Sequence, residues 1–532
     1  MTGQDARRRA TAETPQTPRR FLFVMVYPGY LRYFDSVLRL LVERGHHVDL
    51  VFDLPDKQPE GAEAIADLGG VEVLGHMPIR RGLWATVARG VRGAIDYVRY
   101  RHPDFRDAAY LRDRLRHALP GVLAWVDWRR TTSRGNVRRW VRMLQICERA
   151  IPSDPAIEAF IASRRPDAVV VTPLVLDRSP QVDAIKSARA LGIPTALCVG
   201  SWDHLTTKGL MRVMPDVITV WNAAQLEEAA EYHFAPRERI VVTGAPPFDR
   251  WFTRQATPRA QFTAKVGLDA HRPFVLWVGS TASISAPDVE LRFVRRWVET
   301  LRRDPAFCDV GILIRPHPYN IEHWRSVSFD DCPDVVVYPR RANPVNEADR
   351  QDYFDSLTHC AAVVGVNTTA MIEAAIAGKT VHSVLADEFR ETQGGTLHFR
   401  YLLAEHGGFL RVAGTLEAHA EQLADTLHHP EAGRDACARF VAQFVRPNGV
   451  NAPATPLVTD ALEQLTRVKR PAPQAVPAYL QPLGAALWAI AFVSVYRHPV
   501  RAAAFADKQR RIFGKKMKNA RKTVTRWVTS PN

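Results

Sequence analysis

The sequence predicts an α/β protein with two doubly wound parallel-sheet domains facing a cleft, a basic helical insert and a basic C-terminal tail. Short, continuously apolar runs alternate with amphipathic helical segments, and this alternation occurs in two separate series. The chain of 532 residues is long enough for two or three domains. Strands that are apolar on both faces and separated by helices indicate parallel sheets.

The first series predicts an N-terminal Rossmann-like domain over residues 20–250. A strand is followed by the loop Tyr27-Pro28-Gly29-Tyr30 and a helix that ends at Gly45. The predicted strands of this domain are 21–26, 47–52, 168–171, 195–199, 217–220 and 240–243. Residues 1–19 are polar and rich in Pro, Thr and Arg, which predicts a disordered basic tail.

The second series predicts a C-terminal Rossmann-like domain over residues 272–450. Its predicted strands are 274–278, 311–314, 335–338, 361–366 and 381–384. Ligands of open parallel sheets bind at the carboxyl ends of the strands, so a cleft between the two domains is the expected site. Residues 451–532 are expected to form a crossover and a basic amphipathic tail.

The basic charge is concentrated in two segments outside this pattern. The net charge is +15, yet residues 80–142 hold 16 Arg against 5 Asp, and residues 497–526 hold 11 Lys/Arg against 1 Asp. The second segment follows an apolar stretch, a combination that favours an anionic membrane surface. For the first segment, solvated helical faces remain an alternative. A nucleic-acid binding module is the disfavoured, non-enzymatic interpretation of both.

Cysteine usage and the N-terminus indicate a cytoplasmic protein, and the basic segments favour a peripheral location at the inner face of the cell membrane. The six cysteines form no C-x-x-C pair, and the N-terminus has no secretory signal pattern. The apolar run 483–496 is about 21 Å long as a helix, against a hydrocarbon core of about 30 Å, so a spanning helix is not expected.

Candidate donor-binding residues follow two strands of the second series. Arg315 and His317 each precede a proline, so extended geometry places both on one side as a cationic pair for phosphate, with His317 also able to carry a proton. A rigid loop with a capping histidine is the alternative. After the strand at 361–366, polar residues at a helix start favour an anion site, with Glu373 placed for a ribose, although capping alone also explains them. The residues of this second group and the weaker candidates are Asn367, Thr368, Thr369, Glu373, Gly279, Ser280, Thr281, Gln393 and Thr396.

Candidate acceptor residues follow strands of the first series. Asp203 or His204 is a candidate general base, and Trp202 a platform for a sugar ring. The other acceptor candidates are Tyr27, Gly29 and Lys208. The first loop lacks the glycines of a dinucleotide fingerprint, and no metal-ligand motif occurs, so we expect neither a catalytic metal nor a cofactor beyond the nucleotide-activated substrate.

Four segments together resemble the GT-B glycosyltransferase superfamily, and within it bacterial surface-polysaccharide transferases related to CDP-glycerol glycerophosphotransferases. They are 202–209, 244–249, 315–318 and 366–374, within a resemblance that covers roughly residues 20–450. The resemblance implies that Arg315, His317, Asn367, Thr368 and Glu373 bind the donor and that Asp203 is the base. His204 departs from it, because a smaller polar residue, often Asn, is expected there.

The favoured function is therefore metal-independent transfer of a sugar from a nucleotide diphosphate sugar to a cell-surface glycan or lipid-linked acceptor. Transfer of a glycerol or ribitol phosphate from a CDP-polyol would use the same cationic residues. Epimerisation of a UDP-sugar on this fold is a further alternative, which would need other cleft carboxylates.

Overall fold

The computed structural model describes residues 17–497 except 58, 63–64, 66–67, 117–118, 120–132, 178 and 340–346. Two parallel sheets organise these residues. The first contains β1 (Arg20–Met25), β2 (His47–Phe52), β3 (Val71–His76), β4 (Ala168–Thr172), β5 (Thr195–Cys198), β6 (Val217–Val220) and β7 (Ile240–Val242). Its order is β3-β2-β1-β4-β5-β6-β7, and every pairing is parallel.

The second sheet lies in the C-terminal half. It contains β8 (Phe274–Val278), β9 (Gly311–Arg315), β10 (Val335–Val337), β11 (Ala362–Gly365), β12 (Val381–Val384) and β13 (Arg411–Ala413). Its order is β10-β9-β8-β11-β12-β13, again with parallel pairings. The predicted α/β class with two doubly wound parallel sheets is confirmed.

Helices connect the strands of both sheets. In the N-terminal half they are α1 (Asp35–Glu43), α2 (Gly82–Arg99), α3 (Ala109–Asp113), α4 (Arg134–Ala150), α5 (Pro155–Arg164), α6 (Gln181–Ala190), α7 (His204–Thr207) and α8 (Ala223–Tyr232). The C-terminal half contains α9 (Arg259–Val266), α10 (Pro287–Arg303), α11 (Ile321–Trp324), α12 (Glu347–His359), α13 (Ala370–Ile376), α14 (Leu397–Arg400), α15 (Leu416–His428) and α16 (Arg434–Phe440). α17 (Ala454–Arg467) and α18 (Gln481–Tyr496) follow.

The chain returns to the N-terminal sheet through α17. Val458 and Leu462 of this helix pack in one apolar cluster with Phe21 and Val37. Asp249 sets the start of the helix, because its carboxylate accepts the backbone N–H groups of Ala454 at 3.0 Å and Thr455 at 2.7 Å. Asp249, at the end of the segment 244–249, therefore fixes the start of the helix that returns to the N-terminal sheet.

The basic insert predicted at 80–142 is described in part, as α2, α3 and the first half of α4. Several of its arginines point inward rather than into solvent. Arg92 donates to Asp183 at 2.7 Å and to Glu148 at 3.0 Å, and all three side chains are buried. Arg99 donates to the carbonyls of Lys208 and Gly209 at 2.7 Å, just after α7. Arg99 therefore supports the loop after β5, Arg92 ties α2 to α4 and α6, and neither side chain is exposed for binding nucleic acid. Residues 1–16 of the tail predicted at 1–19, and residues 498–532 of the crossover and tail predicted at 451–532, lie outside the described residues.

One apolar helix ends the described chain. The stretch Ala478–Tyr496 has 19 residues and is mostly exposed. By length and composition alone it is long and apolar enough to cross a membrane. It is longer than the 14-residue run on which the sequence-based expectation rested, because a 3-10 turn at Ala478–Leu480 extends it. All six cysteines are free thiols.

Candidate functional site

The site lies where the carboxyl ends of the two sheets face each other. The Tyr27 hydroxyl, after β1, is 2.8 Å from the Tyr319 hydroxyl, after β9. The Trp202 indole Nε1, after β5, donates to Thr369 Oγ1, after β11, at 3.2 Å. These two contacts join predicted acceptor residues to the donor side across the cleft.

Arg315 and His317 do not form the predicted cationic pair. The Arg315 side chain is buried, and its Nη1 donates to Ser356 Oγ at 2.8 Å and to the Asp352 carbonyl at 3.2 Å, so it turns into the domain. His317 Nδ1 accepts the Tyr319 N–H at 3.2 Å, and burial, with a smaller effect of Arg32, lowers the pKa of His317 to about 4. The ring is thus neutral at pH 7, carries its proton on Nε2 and is a hydrogen-bond donor.

The exposed cations of the cleft come instead from the N-terminal domain. Arg32 lies in a 3-10 helix, Pro28–Tyr33, directly after β1, and it is exposed. Its charge acts on His317 and on Glu373 of the opposite domain. Lys57 Nζ lies 4.3 Å from the ring centroid of Tyr27 and 5.7 Å from that of Tyr319. Sequence reasoning missed both cations.

Glu373 is a titrating carboxyl on the donor side of the cleft. The Tyr353 hydroxyl donates to Glu373 Oε2. Burial raises the pKa of Glu373 to about 7, although the Tyr353 hydrogen bond and the Arg32 charge oppose this rise. A carboxyl with this pKa gains and loses a proton near neutrality, which suits general acid–base chemistry as well as the predicted contact with a ribose.

Asn367 and His398 form a buried polar contact beside Trp202. Asn367 Nδ2 donates to the Thr392 carbonyl at 2.6 Å and lies 3.2 Å from His398 Nε2, while its Oδ1 is buried without a hydrogen-bond partner. The His398 ring packs edge-on against Trp202 at 4.8 Å. Trp202 is therefore an interdomain contact. His398, which the sequence analysis did not single out, ends the polar segment 393–398 in which Gln393 and Thr396 were singled out.

Asp203 and His204 lie at the start of α7 and carry different charges at pH 7. Ser201 Oγ and Thr207 Oγ1 donate to the Asp203 carboxylate at 2.6 and 2.8 Å. Burial raises the pKa of Asp203, but Lys208, at 3.5 Å, and the nearby imidazoles outweigh it and hold the pKa well below its usual range. The carboxylate stays ionised and is a weak base. The role of Asp203 as the base stays a prediction.

The His204 imidazole is the second base candidate. Its Nε2 lies 3.1 Å from the Tyr30 hydroxyl, and burial lowers the pKa of the ring to about 4. Its Nδ1 is buried without a hydrogen-bond partner. The imidazole is neutral at pH 7 and has a free lone pair for a proton, and the Asp203 carboxylate offsets part of the effect of burial on its pKa.

The remaining predicted residues mostly support the loops around the cleft. A Cβ on Gly279 would lie 2.6 Å from the His317 backbone nitrogen, so this glycine allows the two loops to approach. The side chains of Ser280, Thr281, Gln393 and Thr396 hydrogen-bond within the C-terminal domain, to Asn367 O, Ser283 Oγ, Val366 O and Gln393 O respectively. Thr368 is half-buried before α13, and Gly29 lies in the 3-10 helix after β1. Across the part of the chain that the structure describes, no three His, Cys, Asp or Glu side chains form a metal-binding group.

Comparison with known proteins gives likenesses of fold only. The sequence matches no protein-family model and no curated protein. Among solved structures, the UDP-GlcNAc 2-epimerase of Methanocaldococcus jannaschii is 12% identical with a TM-score of 0.49, and the alignment covers 84% of this chain and 99% of that one. The UDP-GlcNAc 2-epimerase of Neisseria meningitidis bound to UDP-GlcNAc is 10% identical with a TM-score of 0.48, covering 84% and 100%. A glycosyltransferase from Rickettsia africae has the same identity and score, 10% and 0.48, covering 85% and 100%. At these identities no residue role transfers to this chain.

Proposed function

We propose that the protein is a glycosyltransferase that moves a sugar from a nucleoside diphosphate sugar to a cell-surface glycan or lipid-linked acceptor. One observation carries this proposal: Arg32, directly after β1, is exposed, and its positive charge lowers the pKa of both His317 and Glu373 of the C-terminal domain. A cation and a neutral hydrogen-bond donor can both bind the oxygens of a diphosphate, and a carboxyl that titrates near neutrality can bind ribose hydroxyls.

The proposed reaction uses side-chain charge at the leaving group. The bond between the anomeric carbon and the diphosphate oxygen breaks while the acceptor oxygen bonds to that carbon. Arg32 and Lys57 stabilise the negative charge that develops on the diphosphate, and His317 donates a hydrogen bond from Nε2. His204 takes the acceptor proton, and ionised Asp203 stabilises the resulting imidazolium.

Epimerisation of a UDP-sugar is the second candidate. The pKa of Glu373, raised by burial to about 7, favours it, because a carboxyl of this kind can remove and return a sugar proton. Such a reaction needs no acceptor, so the two candidates give different products from the same donor.

A thermal-shift screen of UDP, CDP, GDP, ADP and dTDP, with their sugar or polyol conjugates, tests the donor site. At about 100 times its dissociation constant, a nucleotide should stabilise the protein by about 2.7 kcal/mol, a shift of a few degrees. We expect nucleotides with one particular nucleobase to stabilise the protein more than the others do. Arg32→Ala should lower the affinity for the selected nucleotide by about 10- to 100-fold, because it removes a charge-assisted contact with the diphosphate. Arg303→Ala, at the exposed end of α10, is the matched control and should bind as the wild type does.

The outcomes separate the candidates. No shift with any nucleotide, or an Arg32→Ala variant that binds like the wild type, contradicts the donor site. Release of nucleoside diphosphate only when a glycan acceptor is present supports the transferase. A changed sugar in the absence of acceptor supports the epimerase, and selection of CDP-glycerol over every sugar nucleotide supports polyol phosphate transfer.

A further inference from the structure

The helix α18 is docked on the insert by one side only. Gly484, Ala491 and Val495 are buried, and Ala491 belongs to the apolar cluster of the insert. A Cβ at Gly484 would lie 2.9 Å from the Ala150 carbonyl oxygen at the end of α4, so the helix backbone approaches the insert closely there. This side of α18 is therefore fixed by packing.

The opposite side of α18 is apolar and exposed to solvent. Ile490 and Val493 are 59% and 56% exposed, and Phe492 is 44% exposed. Trp488, Phe492 and Tyr496 form an aromatic row along the helix, with ring centroids 5.5 and 4.7 Å apart. A water-facing surface of this composition indicates an interaction site, because large contiguous apolar patches on soluble proteins usually bind something.

A mixed basic and apolar stripe of α4 extends this surface. The exposed residues at helical spacing on α4 are Arg139, Arg142, Met143, Ile146 and Arg149. Arg149 Nη2 donates to the Tyr479 hydroxyl at 3.3 Å, which places the stripe beside the start of α18. The apolar face is thus bordered by cations. In the sequence, α18 is also followed by residues 497–526, with 11 Lys/Arg against 1 Asp.

We propose that this surface, formed by the exposed faces of α18 and α4, docks on an anionic lipid bilayer with α18 lying along the interface. Aromatic and aliphatic side chains enter the boundary between headgroups and acyl chains, and the bordering arginines meet lipid phosphates. The charge argues against a second copy of this chain as the occupant, because two such basic surfaces repel each other.

The docking on the insert argues for a helix that lies on the bilayer rather than across it. The 19-residue stretch Ala478–Tyr496, at about 28 Å, has the length to span. Spanning would detach the side that carries Gly484, Ala491 and Val495 from the insert and leave the apolar cluster beneath it uncovered. Interfacial docking needs no such rearrangement. This inference does not depend on the proposed function.

Co-sedimentation of the full chain with vesicles tests the proposal. The vesicles are phosphatidylcholine alone, or the same lipid with one third phosphatidylglycerol. The variants are the double substitution Ile490→Asp/Val493→Asp and the control Val468→Asp, which changes an equally exposed residue between α17 and α18. We expect the wild type and the control to bind the anionic vesicles and release them at high salt, and the double variant to bind at least tenfold more weakly.

Three outcomes would overturn the proposal. One is vesicle binding of the double variant equal to that of the wild type. If Ile490→Asp/Val493→Asp lowers the thermal midpoint, Ile490→Ser/Val493→Ser replaces it in this comparison. Another is wild-type binding that resists alkaline carbonate extraction, which indicates a spanning helix. The third is a lipid-independent dimer, seen by sedimentation velocity in the wild type and absent from the double variant.

Discussion

Gly279 lies at the closest approach between the loops after β8 and β9. Its N–H donates to the Arg315 carbonyl at 2.9 Å, and an added Cβ would sit 2.6 Å from the His317 nitrogen and 3.2 Å from Pro316. Both neighbours are backbone, so they cannot rotate away. We expect Gly279→Ala to lower the free energy of unfolding by about 1–3 kcal/mol and to displace His317.

Urea unfolding measures this effect through a lower midpoint at an unchanged slope. Gly414→Ala is the control, since nothing lies within 4 Å of the Cβ it adds. It should change stability by less than about 0.5 kcal/mol. Equal midpoints for the two variants would mean that the loops are not in contact as described.

The residues of the site were predictable from sequence only where one strand end determines their place. Asp203, His317 and Glu373 each follow a recognisable strand, and they lie at the cleft. The inward orientation of the Arg315 side chain was not predictable, because its hydrogen-bond partner Ser356 is 41 residues away in sequence. Arg32 carried a usable signal: it lies off the apolar stripe of Leu31 and Phe34 just after β1, which points it to solvent at the carboxyl edge of the sheet.

At the scale of elements, α2 holds the loop that carries the candidate base. The buried Arg99 guanidinium donates to the carbonyls of Leu205, Lys208 and Gly209, which lie within and just after α7. Arg99→Met would remove all three hydrogen bonds, leaving Leu205 O with the His233 imidazole and Lys208 O with the Tyr100 hydroxyl. We expect a loss of about 2–4 kcal/mol in the free energy of unfolding.

Arg89→Met, on an exposed position of the same helix, is the matched control and should be nearly neutral. The measurement is urea unfolding of both variants. If both variants lowered the free energy of unfolding by the same small amount, Arg99 would not support the loop after α7.

The two strands that the sequence failed to predict, β3 and β13, both lie at sheet edges. β3 is largely exposed, so its residues Val71–His76 lack a continuous apolar run, and β13 has three residues, Arg411–Ala413. The inner strands are buried on both faces, and this burial imposes the apolar runs that reveal them. Their predicted ends agree with the observed ones to within one residue, and the small differences arise because the hydrogen-bonded register rather than hydropathy decides where a strand stops.

For the whole molecule, buried titratable groups of two kinds set the dependence of stability on pH. Burial lowers the pKa of seven histidines in the described chain: His102, His204, His233, His317, His382, His398 and His419. Between about pH 4 and 6.5 the unfolded chain binds more protons than the native one at these sites, so stability rises with pH. Above about pH 6.5 unfolded histidine is itself neutral, and this rise ends.

Burial also raises the pKa of Asp53, Glu228 and Glu290 to about 8. From about pH 4.5 upward the native state therefore binds more protons than the unfolded chain at these carboxyls, and stability falls as pH rises through 8. Near pH 6.5 the histidine contribution ends while the carboxyl contribution continues, so we expect a stability maximum at about that pH. Urea unfolding at a series of pH values locates it.

Glu290→Gln isolates one of these carboxyls. Its Oε1 accepts the Ser280 N–H at 2.8 Å, and its Oε2 is buried without a hydrogen-bond partner, so the amide keeps the contact and cannot ionise. Relative to the wild type, the variant should gain about 2 kcal/mol in the free energy of unfolding between pH 6 and pH 8. Glu417→Gln, at an exposed position, should follow the wild type at every pH. A Glu290→Gln curve parallel to that of the wild type would mean that this carboxyl is already ionised in the folded protein.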